Sequence, residues 1–276
     1  MANRRRWGQA VTLLILSAFS VLMILPLLWM VSTALKPEYK IFQFPPELLP
    51  RPALWSNFKS LFEFYPVALY TWNTVYLTIL NIAGKLLSCT LVAYGFAKFK
   101  APGKNLLFLL LLSTMMIPWA VTMVPLFILY KEAGWYNTYL PLWVPAFFGD
   151  AFYIFLLRQF MMTIPKDLEE SARIDGANVL KTLWHVLVPI LLPALAVVAM
   201  FTFINTWNDF LGPLLFLSDG DKATLQIAIQ NFRTQYDTPW NYMMGLSVVS
   251  VIPCLIMFFI GQKKIVEGIA MTGVKG

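Results

Sequence analysis

Hydrophobic residues in this chain gather into six long stretches separated by shorter polar segments. A bilayer core about 30 Å thick needs roughly 20 apolar residues in a helix that rises 1.5 Å per residue. The pattern therefore predicts an all-α integral membrane protein with six transmembrane helices in a single transmembrane domain, residues 1–276. The predicted spans are residues 11–35, 70–96, 105–130, 139–157, 186–208 and 239–262.

Basic residues cluster beside three of the predicted spans, which sets an orientation. Lys and Arg near helix ends favour the cytoplasmic side. The clusters are Arg4 to Arg6, Lys98 to Lys104, and Lys263 to Lys275. They predict cytoplasmic N- and C-termini, with external loops 36–69, 131–138 and 209–238 and a cytoplasmic tail 263–276. Five prolines between positions 37 and 52 disfavour a helix in the first external loop.

Composition supports a membrane protein and excludes several other classes. The chain is 59% hydrophobic and 13% charged, whereas an ordinary soluble domain carries about 25% charged residues. The formal charge of +7 comes from clusters between apolar runs, so it indicates no nucleic-acid surface. Two cysteines and one histidine supply no metal cage and no catalytic constellation. We therefore expect no catalytic residues and no metal site.

The segment between the fourth and fifth spans, residues 159–185, is much longer than the 2–8 residues typical of a helix connection. Pro165 favours the first turn of a helix, and Gly176 favours its end. Three carboxylates suit the positive end of its dipole: Asp167, Glu169 and Glu170. The sequence predicts a short cytoplasmic helix of about three turns, followed by a second helical run from about Val179.

This segment resembles a known motif. Three parts of the sequence carry the resemblance: Glu170-Ser171-Ala172, Gly176, and the run from Val186 to Pro189. Together they resemble the EAA motif of ABC importer permeases, with mild departures at Ser171, Val186 and Val188. Further stretches resemble the maltose-type carbohydrate importers, in particular their second, six-span permease subunit. These stretches are residues 155–160, 172–177, 206–210 and 267–276.

The resemblance implies that the short cytoplasmic segment is a coupling helix, which docks in a cleft of an ATP-binding subunit. Glu170 would pair with a basic group there, while Ala172 and Gly176 would permit close approach. The full set of residues implied in coupling is Glu170, Ser171, Ala172, Arg173, Asp175, Gly176 and Ala177. The chain has no G-x-x-x-x-G-K-[ST] phosphate loop, so it is not itself the ATPase.

The same resemblance implies the partners and the cargo. It implies two copies of an ABC ATPase subunit, which bind ATP and Mg²⁺, and a second, related permease that the subfamily suggests is not identical. It also implies an extracytoplasmic sugar-binding protein, surrounding membrane lipid, a multi-pass location in the cytoplasmic (inner) membrane, and no cofactor in this chain. The expected cargo is an oligosaccharide, monosaccharide or polyol. An ion-coupled secondary transporter is the alternative from another class.

Six residues are candidates for the substrate path. An ionisable group near the bilayer centre usually faces a cavity or another charge, so Lys85 and Asp150 either form an ion pair or line the path. In the path, Lys85 would attract a phosphorylated polyol such as glycerol 3-phosphate. The other candidates lie at the end of the fifth span and suit sugar stacking and hydroxyl pairing, although Trp is also an interfacial anchor: Asn205, Trp207, Asn208 and Asp209.

The external loop 209–238 leaves two interpretations open. The loop contains hydrophobic residues among amide side chains: Leu225, Ile227, Ile229 and Phe232 lie among Gln226, Gln230 and Asn231. They form either a small lid-like segment or a loop that only packs against the helices.

Overall fold

A computed structural model describes residues 2–233 and 238–273 of the chain. Within these residues every regular element is helical. The longer helices are α1 (Ala2–Ala34), α3 (Val67–Lys98), α5 (Trp119–Glu132), α7 (Ala151–Thr163), α10 (Val188–Trp207) and α13 (Trp240–Gly273). The shorter ones are α2 (Ser56–Phe64), α4 (Lys104–Ser113), α6 (Leu140–Trp143), α8 (Asp167–Ile174), α9 (Val179–Lys181), α11 (Leu211–Phe216) and α12 (Leu225–Asn231).

Among the described residues, five helical stretches are long and apolar enough to cross a membrane, and a bent helix pair makes up to six. These stretches match the predicted spans in position, and all-helical architecture is confirmed. The fifth span begins earlier than predicted because α9, a wide helical turn over Thr182–Leu187 and α10 are continuous. The stretches are Gly8–Ala34, Val67–Lys98, Leu140–Thr163, Val179–Trp207 and Trp240–Gln262.

The third predicted span, 105–130, is not one straight helix. Lys104–Met116 and Trp119–Glu132 meet at an angle of 98°. The break falls at Ile117, whose backbone is extended (φ −85°, ψ 113°), because the ring of Pro118 disfavours the α conformation in the residue before it. A count of charged residues could not reveal this break.

The chain divides into two compact units, each described here by itself. The first comprises Met1–Ala68 and Ala228–Pro253, and the second comprises Leu69–Ile227 and Cys254–Gly276. In the first unit, α2 lies within residues 36–69, the predicted first external loop, where the prolines led us to expect no helix. That expectation is wrong because α2 begins four residues after the last proline of the cluster, Pro52. Asn57 of α2 is buried and donates to the carbonyl oxygens of Ala34 (2.9 Å) and Lys36 (3.0 Å).

The core of the second unit lies where α3, α7 and the run into α10 meet. Its centre is made of completely buried aliphatic and sulfur-containing side chains, each of which removes apolar surface from the surroundings. They include Cys89, Leu157, Met161, Leu183 and Leu187.

The fourth predicted span, 139–157, is interrupted by a short 3₁₀ segment, Val144–Phe148. Gly149 follows it with φ +99°, a conformation that residues with a Cβ rarely adopt. The chain then restarts as α7, with Asp150 at its N-cap. The polar residue that interrupted the hydrophobic pattern therefore marks the start of a new helix inside the span.

Candidate functional site: the cytoplasmic helix and the polar residues of the spans

The predicted cytoplasmic helix is present as α8, Asp167–Ile174. Its eight residues make little more than two turns, so it is shorter than the predicted three. Gly176 ends it as expected, with φ +79°. The N–H of Ala177 donates to the carbonyl of Ala172 (2.9 Å) and that of Gly176 donates to Arg173 (3.0 Å), which closes the helix in a Schellman motif.

The two faces of α8 differ sharply in exposure. Ala172 is buried, whereas Ile174 is 87% exposed. Among the other residues implied in coupling, Ala177 is half-buried. The exposed ones are Glu170, Ser171, Arg173, Asp175 and Gly176. The sequence reasoning missed Ile174, although a large aliphatic residue among charged neighbours was visible in the sequence.

The adjacent carboxylates of α8 have different surroundings. Glu170 is exposed, but Glu169 forms an ion pair with Lys98, the last residue of α3, with 2.6 Å between Nζ and Oε1. The two side chains are only 14% and 7% exposed. Lys98 also donates to the carbonyl oxygen of Ile164 at 3.0 Å. From the sequence, Lys98 only helps to predict the orientation of the chain in the membrane. Its neighbours in sequence do not indicate an ion-pair partner 71 positions away.

Lys85 of α3 and Asp150 lie together, with 3.0 Å between Nζ and Oδ2. The other oxygen of Asp150 caps α7 by accepting from the N–H groups of Phe152 (3.1 Å) and Tyr153 (3.5 Å). Lys85 Nζ also lies 4.9 Å from the centre of the Tyr153 ring. Of the two interpretations left open, the structure shows the ion pair.

Further polar side chains of α3 hold the broken fourth span. Asn81 donates to the carbonyl oxygen of Leu142 at 2.8 Å, and Ser88 donates to that of Ala146 at 2.9 Å. With Lys85 between them, the spacing of four and then three residues places all three on one face of the helix. This stripe was visible in the sequence as polar residues at helical spacing, but we had singled out only the charged member.

The four candidates at the end of the fifth span differ in their exposure. Trp207 is 2% exposed and stacks on Phe203, with 5.3 Å between ring centres. Its ring is therefore covered and offers no face for a sugar. Asn205 and Asn208 are exposed. Asn205 donates to the hydroxyl oxygen of Tyr153 at 3.3 Å, and Asn208 donates to the carbonyl of Ile204 at 2.8 Å.

Asp209 accepts a hydrogen bond at the start of the short helix α11. Its Oδ1 accepts from the backbone N–H of Gly212 at 3.1 Å, at the start of α11. Burial raises the pKa of the Asp209 carboxyl above its usual value, and the N–H groups of Gly212 and Leu211 oppose that shift. The Asp209 carboxylate therefore stabilises the loop through this hydrogen bond to the start of α11.

The loop 209–238 is fastened to α3 by two neighbouring side chains, Asn73 and Thr74. The Thr74 hydroxyl oxygen accepts from the N–H of Leu225 at 3.0 Å. Asn73 is buried and its Nδ2 donates to the carbonyl oxygens of Asp221 and Ala223, each at 2.9 Å. The segment that we considered a possible lid forms α12, in which Leu225 and Ala228 are buried. Part of the loop, residues 234–237, and the last three residues of the predicted tail lie outside the described residues.

Within the residues that the structure describes, no group of three or more His, Cys, Asp or Glu side chains is arranged to hold a metal ion. The functional features are thus a short exposed helix, α8, and a set of polar contacts among the spans.

Comparison with known proteins identifies the family. The family model described as "Binding-protein-dependent transport system inner membrane component" matches residues 89–269. The arabinooligosaccharides transport system permease protein AraQ of Halalkalibacterium halodurans is 31% identical over 256 residues, which cover 92% of this chain and 91% of the relative. The sn-glycerol-3-phosphate transport system permease protein UgpE of Yersinia enterocolitica is 30% identical over 276 residues, 97% of each chain.

A solved structure shares the fold. A chain in the crystal structure of a bacterial ABC transporter involved in the import of the acidic polysaccharide alginate superposes with a TM-score of 0.84. It covers 94% of this chain and 96% of its own length, at 24% sequence identity. With the matching family model, these likenesses confirm the resemblance drawn from the motifs and exclude the ion-coupled secondary transporter. The chain belongs to the binding-protein-dependent transport system inner membrane components, as a multi-pass permease subunit of the carbohydrate-uptake type of ABC importer, with ATP hydrolysed on a separate subunit.

Proposed function

We propose that this permease carries a neutral carbohydrate inward, driven by ATP hydrolysed on two copies of an ATPase subunit, one of which docks on α8. The observation that carries the proposal is the division of α8 into two faces. Ala172 and Glu169 face the rest of the chain, while Glu170 and Ile174 are exposed. An exposed carboxylate beside an exposed aliphatic side chain suits a partner with a basic group beside an apolar pocket.

Two further partners complete the proposal. A single coupling helix serves one ATPase subunit, so a second, related permease supplies the other docking site. A carbohydrate-binding protein delivers the cargo from outside, on the side of loop 209–238. These partners follow from membership of a binding-protein-dependent family.

The neutral character of the cargo rests on Lys85. Relatives of similar identity are named for arabinooligosaccharides and for sn-glycerol 3-phosphate, so the family does not decide between them. Lys85 is the cation that would attract a phosphate, but its charge is balanced by Asp150 at 3.0 Å. A balanced pair exerts little net attraction on an anion. We therefore favour the neutral carbohydrate and treat the phosphorylated polyol as the alternative.

Asn205 and Asn208 are the best remaining candidates for contact with the cargo. Both are exposed near the end of α10, and a turn away Phe201 is also exposed. Each amide donates one hydrogen bond within the chain, and any remaining polar atom that faced lipid would cost up to about a few kcal/mol. We therefore place both residues beside a polar pathway. Amides pair with sugar hydroxyls, and an aromatic face packs against the sugar ring.

We also propose that both chain termini lie in the cytoplasm, which the three basic clusters support. Single cysteines in place of Lys100 and Lys59, in a chain with alanine at Cys89 and Cys254, test this in intact cells. A membrane-impermeant maleimide should label position 59 and leave position 100 unlabelled. Labelling of position 100 from outside would overturn the orientation.

The docking role is tested by purifying the complex in mild detergent. We expect the ATPase subunit and the second permease to copurify with the wild-type chain. Glu170→Lys should lose the ATPase subunit and keep the second permease. Glu63→Lys is the matched control, since Glu63 is an exposed glutamate on the external helix α2. Equal retention of the ATPase by Glu170→Lys would contradict the docking role.

The cargo is tested by uptake into proteoliposomes that contain the complex and its binding protein. The probes are radiolabelled arabinotriose, maltotriose, lactose and glycerol 3-phosphate. We expect uptake of at least one neutral sugar, retained in the double variant Lys85→Met/Asp150→Asn. Uptake of glycerol 3-phosphate alone, lost in that variant, would establish the phosphorylated alternative instead.

A further inference from the structure

The ion pair between Lys98 and Glu169 joins the coupling helix α8 to a membrane span. Lys98 is the last residue of α3, and Glu169 lies in the first turn of α8. The Nζ to Oε1 distance is 2.6 Å, and both side chains are largely withdrawn from solvent. Charges that are removed from water attract each other more strongly than exposed pairs, because solvent screens them less.

Lys98 reaches a second point at the same place. Its Nζ donates to the carbonyl oxygen of Ile164 at 3.0 Å, in the turn between α7 and α8. One ammonium group therefore contacts both the helix and the turn that leads into it. A displacement of α8 relative to the end of α3 would break the contact with Glu169.

We propose that Lys98 and Glu169 are positioning residues that make α3 move with α8 when the ATPase subunits close. Lys98 touches neither ATP nor the cargo, and it acts through Glu169 and Ile164. In this arrangement the two neighbouring glutamates have separate tasks: Glu170 faces the ATPase, and Glu169 holds α8 to α3. The inference rests on the proposed docking role of α8.

α8 has other attachments, which separate this role from a purely structural one. Ala172 is buried on the inner face of α8, the helix packs against the Thr182–Leu187 segment, and the Schellman motif at Gly176 fixes its C-terminal end. Loss of the ion pair should therefore leave α8 in place and the ATPase subunit bound. It should weaken the link to α3 alone.

The test compares ATP hydrolysis and import in the same proteoliposomes, using the neutral sugar that gives the highest uptake. In Lys98→Met we expect hydrolysis within about twofold of wild type and a fall of about tenfold in sugar imported per ATP, a size typical of coupling between sites. Lys98→Arg should restore most of the import, because it keeps the charge. Lys100→Met is the matched control, an exposed lysine two residues further on, and should match wild type.

A second variant controls for misfolding of Lys98→Met. Lys98→Met can leave Glu169 as a buried charge without its partner, whereas Lys98→Met/Glu169→Gln removes both charges. We expect the double variant to assemble with the ATPase and to remain about tenfold uncoupled. The reversed pair, Lys98→Glu/Glu169→Lys, should regain part of the coupling.

A readout independent of the cargo uses spin labels at Leu168 and Leu91, both exposed, one on α8 and one on α3. In wild type the distance distribution should stay the same between nucleotide-free and vanadate-trapped complexes. In the double variant it should shift or broaden on trapping. Unchanged import per ATP in both variants, or loss of import together with loss of the ATPase subunit, would overturn the proposal. A wild-type complex without an ATPase subunit would instead overturn the proposed function.

Discussion

Gly84 of α3 packs directly against the ring of Phe147 in the 3₁₀ segment of the fourth span. A Cβ at position 84 would lie 2.7 Å from Phe147 Cδ2 and 3.1 Å from the carbonyl carbon of Ala146. We expect Gly84→Ala to lower the free energy of unfolding by about 1–3 kcal/mol, the usual cost of an extra methyl group in a filled space. Thermal unfolding of the purified complex, followed by tryptophan fluorescence, measures this.

Gly95 is the matched control because it lies on the same helix and a Cβ there would meet nothing within 4 Å. Gly95→Ala should be neutral or should gain up to about 1 kcal/mol from the better helix propensity of alanine. Equal destabilisation by the two substitutions would contradict the close approach at Gly84.

Removing one partner of the Lys85–Asp150 pair should cost more than removing both. Lys85→Met leaves the Asp150 charge without a partner, and we expect a loss of about 2 kcal/mol. This is less than the 3–5 kcal/mol of a fully buried pair, because Asp150 is 31% exposed. In Lys85→Met/Asp150→Asn the asparagine can still cap α7, so most of the loss should be recovered.

A double-mutant cycle on thermal unfolding measures the interaction between these two residues. Asp150→Asn alone serves as the second corner of the cycle. Strictly additive effects would show that the two side chains do not interact in the membrane.

Asp209 should make the stability of the external loop dependent on pH. Because burial raises the folded-state pKa of this carboxyl, its stabilising contribution is complete below the unfolded pKa of about 3.9. It is lost as pH rises through the higher folded pKa. Asp209→Asn keeps an acceptor for the N–H of Gly212 and cannot ionise. The variant should therefore gain stability relative to wild type as pH rises from 4 to 7.

Melting temperatures of wild type and Asp209→Asn at several pH values between 4 and 7 give the comparison. Asp219→Asn is a suitable control, since Asp219 is an exposed carboxylate in the same loop. A relative stability that moves in the opposite direction would show that the capping hydrogen bonds outweigh burial.

Ile174 should contribute to the docking of the ATPase subunit. It is an exposed aliphatic residue at the end of α8, and few interface residues cost more than about 1 kcal/mol when truncated unless they fill a pocket. We expect Ile174→Ala to weaken ATPase binding by about tenfold, or about 1.4 kcal/mol, with no change in the melting temperature of the permease. Binding of the purified ATPase subunit to nanodiscs that contain the permease measures this.

The control for Ile174 is Leu49→Ala, which truncates another exposed aliphatic residue in the external loop. It should leave ATPase affinity unchanged. An unchanged affinity for Ile174→Ala as well would remove Ile174 from the docking face.

The sequence predicted those features that local chemistry determines. Pro165 and Gly176 bracket α8 because one favours a first turn and the other a left-handed end. The spans followed from the length of apolar runs, since the bilayer requires that length. The break at Ile117 was equally local, as residues before proline avoid the α conformation, but a search for uncharged stretches does not test for it.

Features that depend on distant residues escaped prediction. Glu169 and Glu170 are identical side chains at consecutive positions, and only the path of α3 decides which of them meets Lys98. Trp207 looked suited to sugar stacking, but Phe203 covers its ring one turn earlier in α10. Side-chain surroundings of this kind come from tertiary packing, which the order of residues in one segment does not reveal.

Among the attachments of helix α3 are Asn73 near one end and Lys98 at the other. A separation of 25 residues makes about seven helical turns and a length of about 38 Å, so both side chains leave the same face of the helix. One inserted or deleted residue between them would turn the two ends by about 100° relative to each other. Lys98 and Asn73 could then not both keep their partners. The number of residues between them therefore has to stay constant, even where the side chains between them are free to vary.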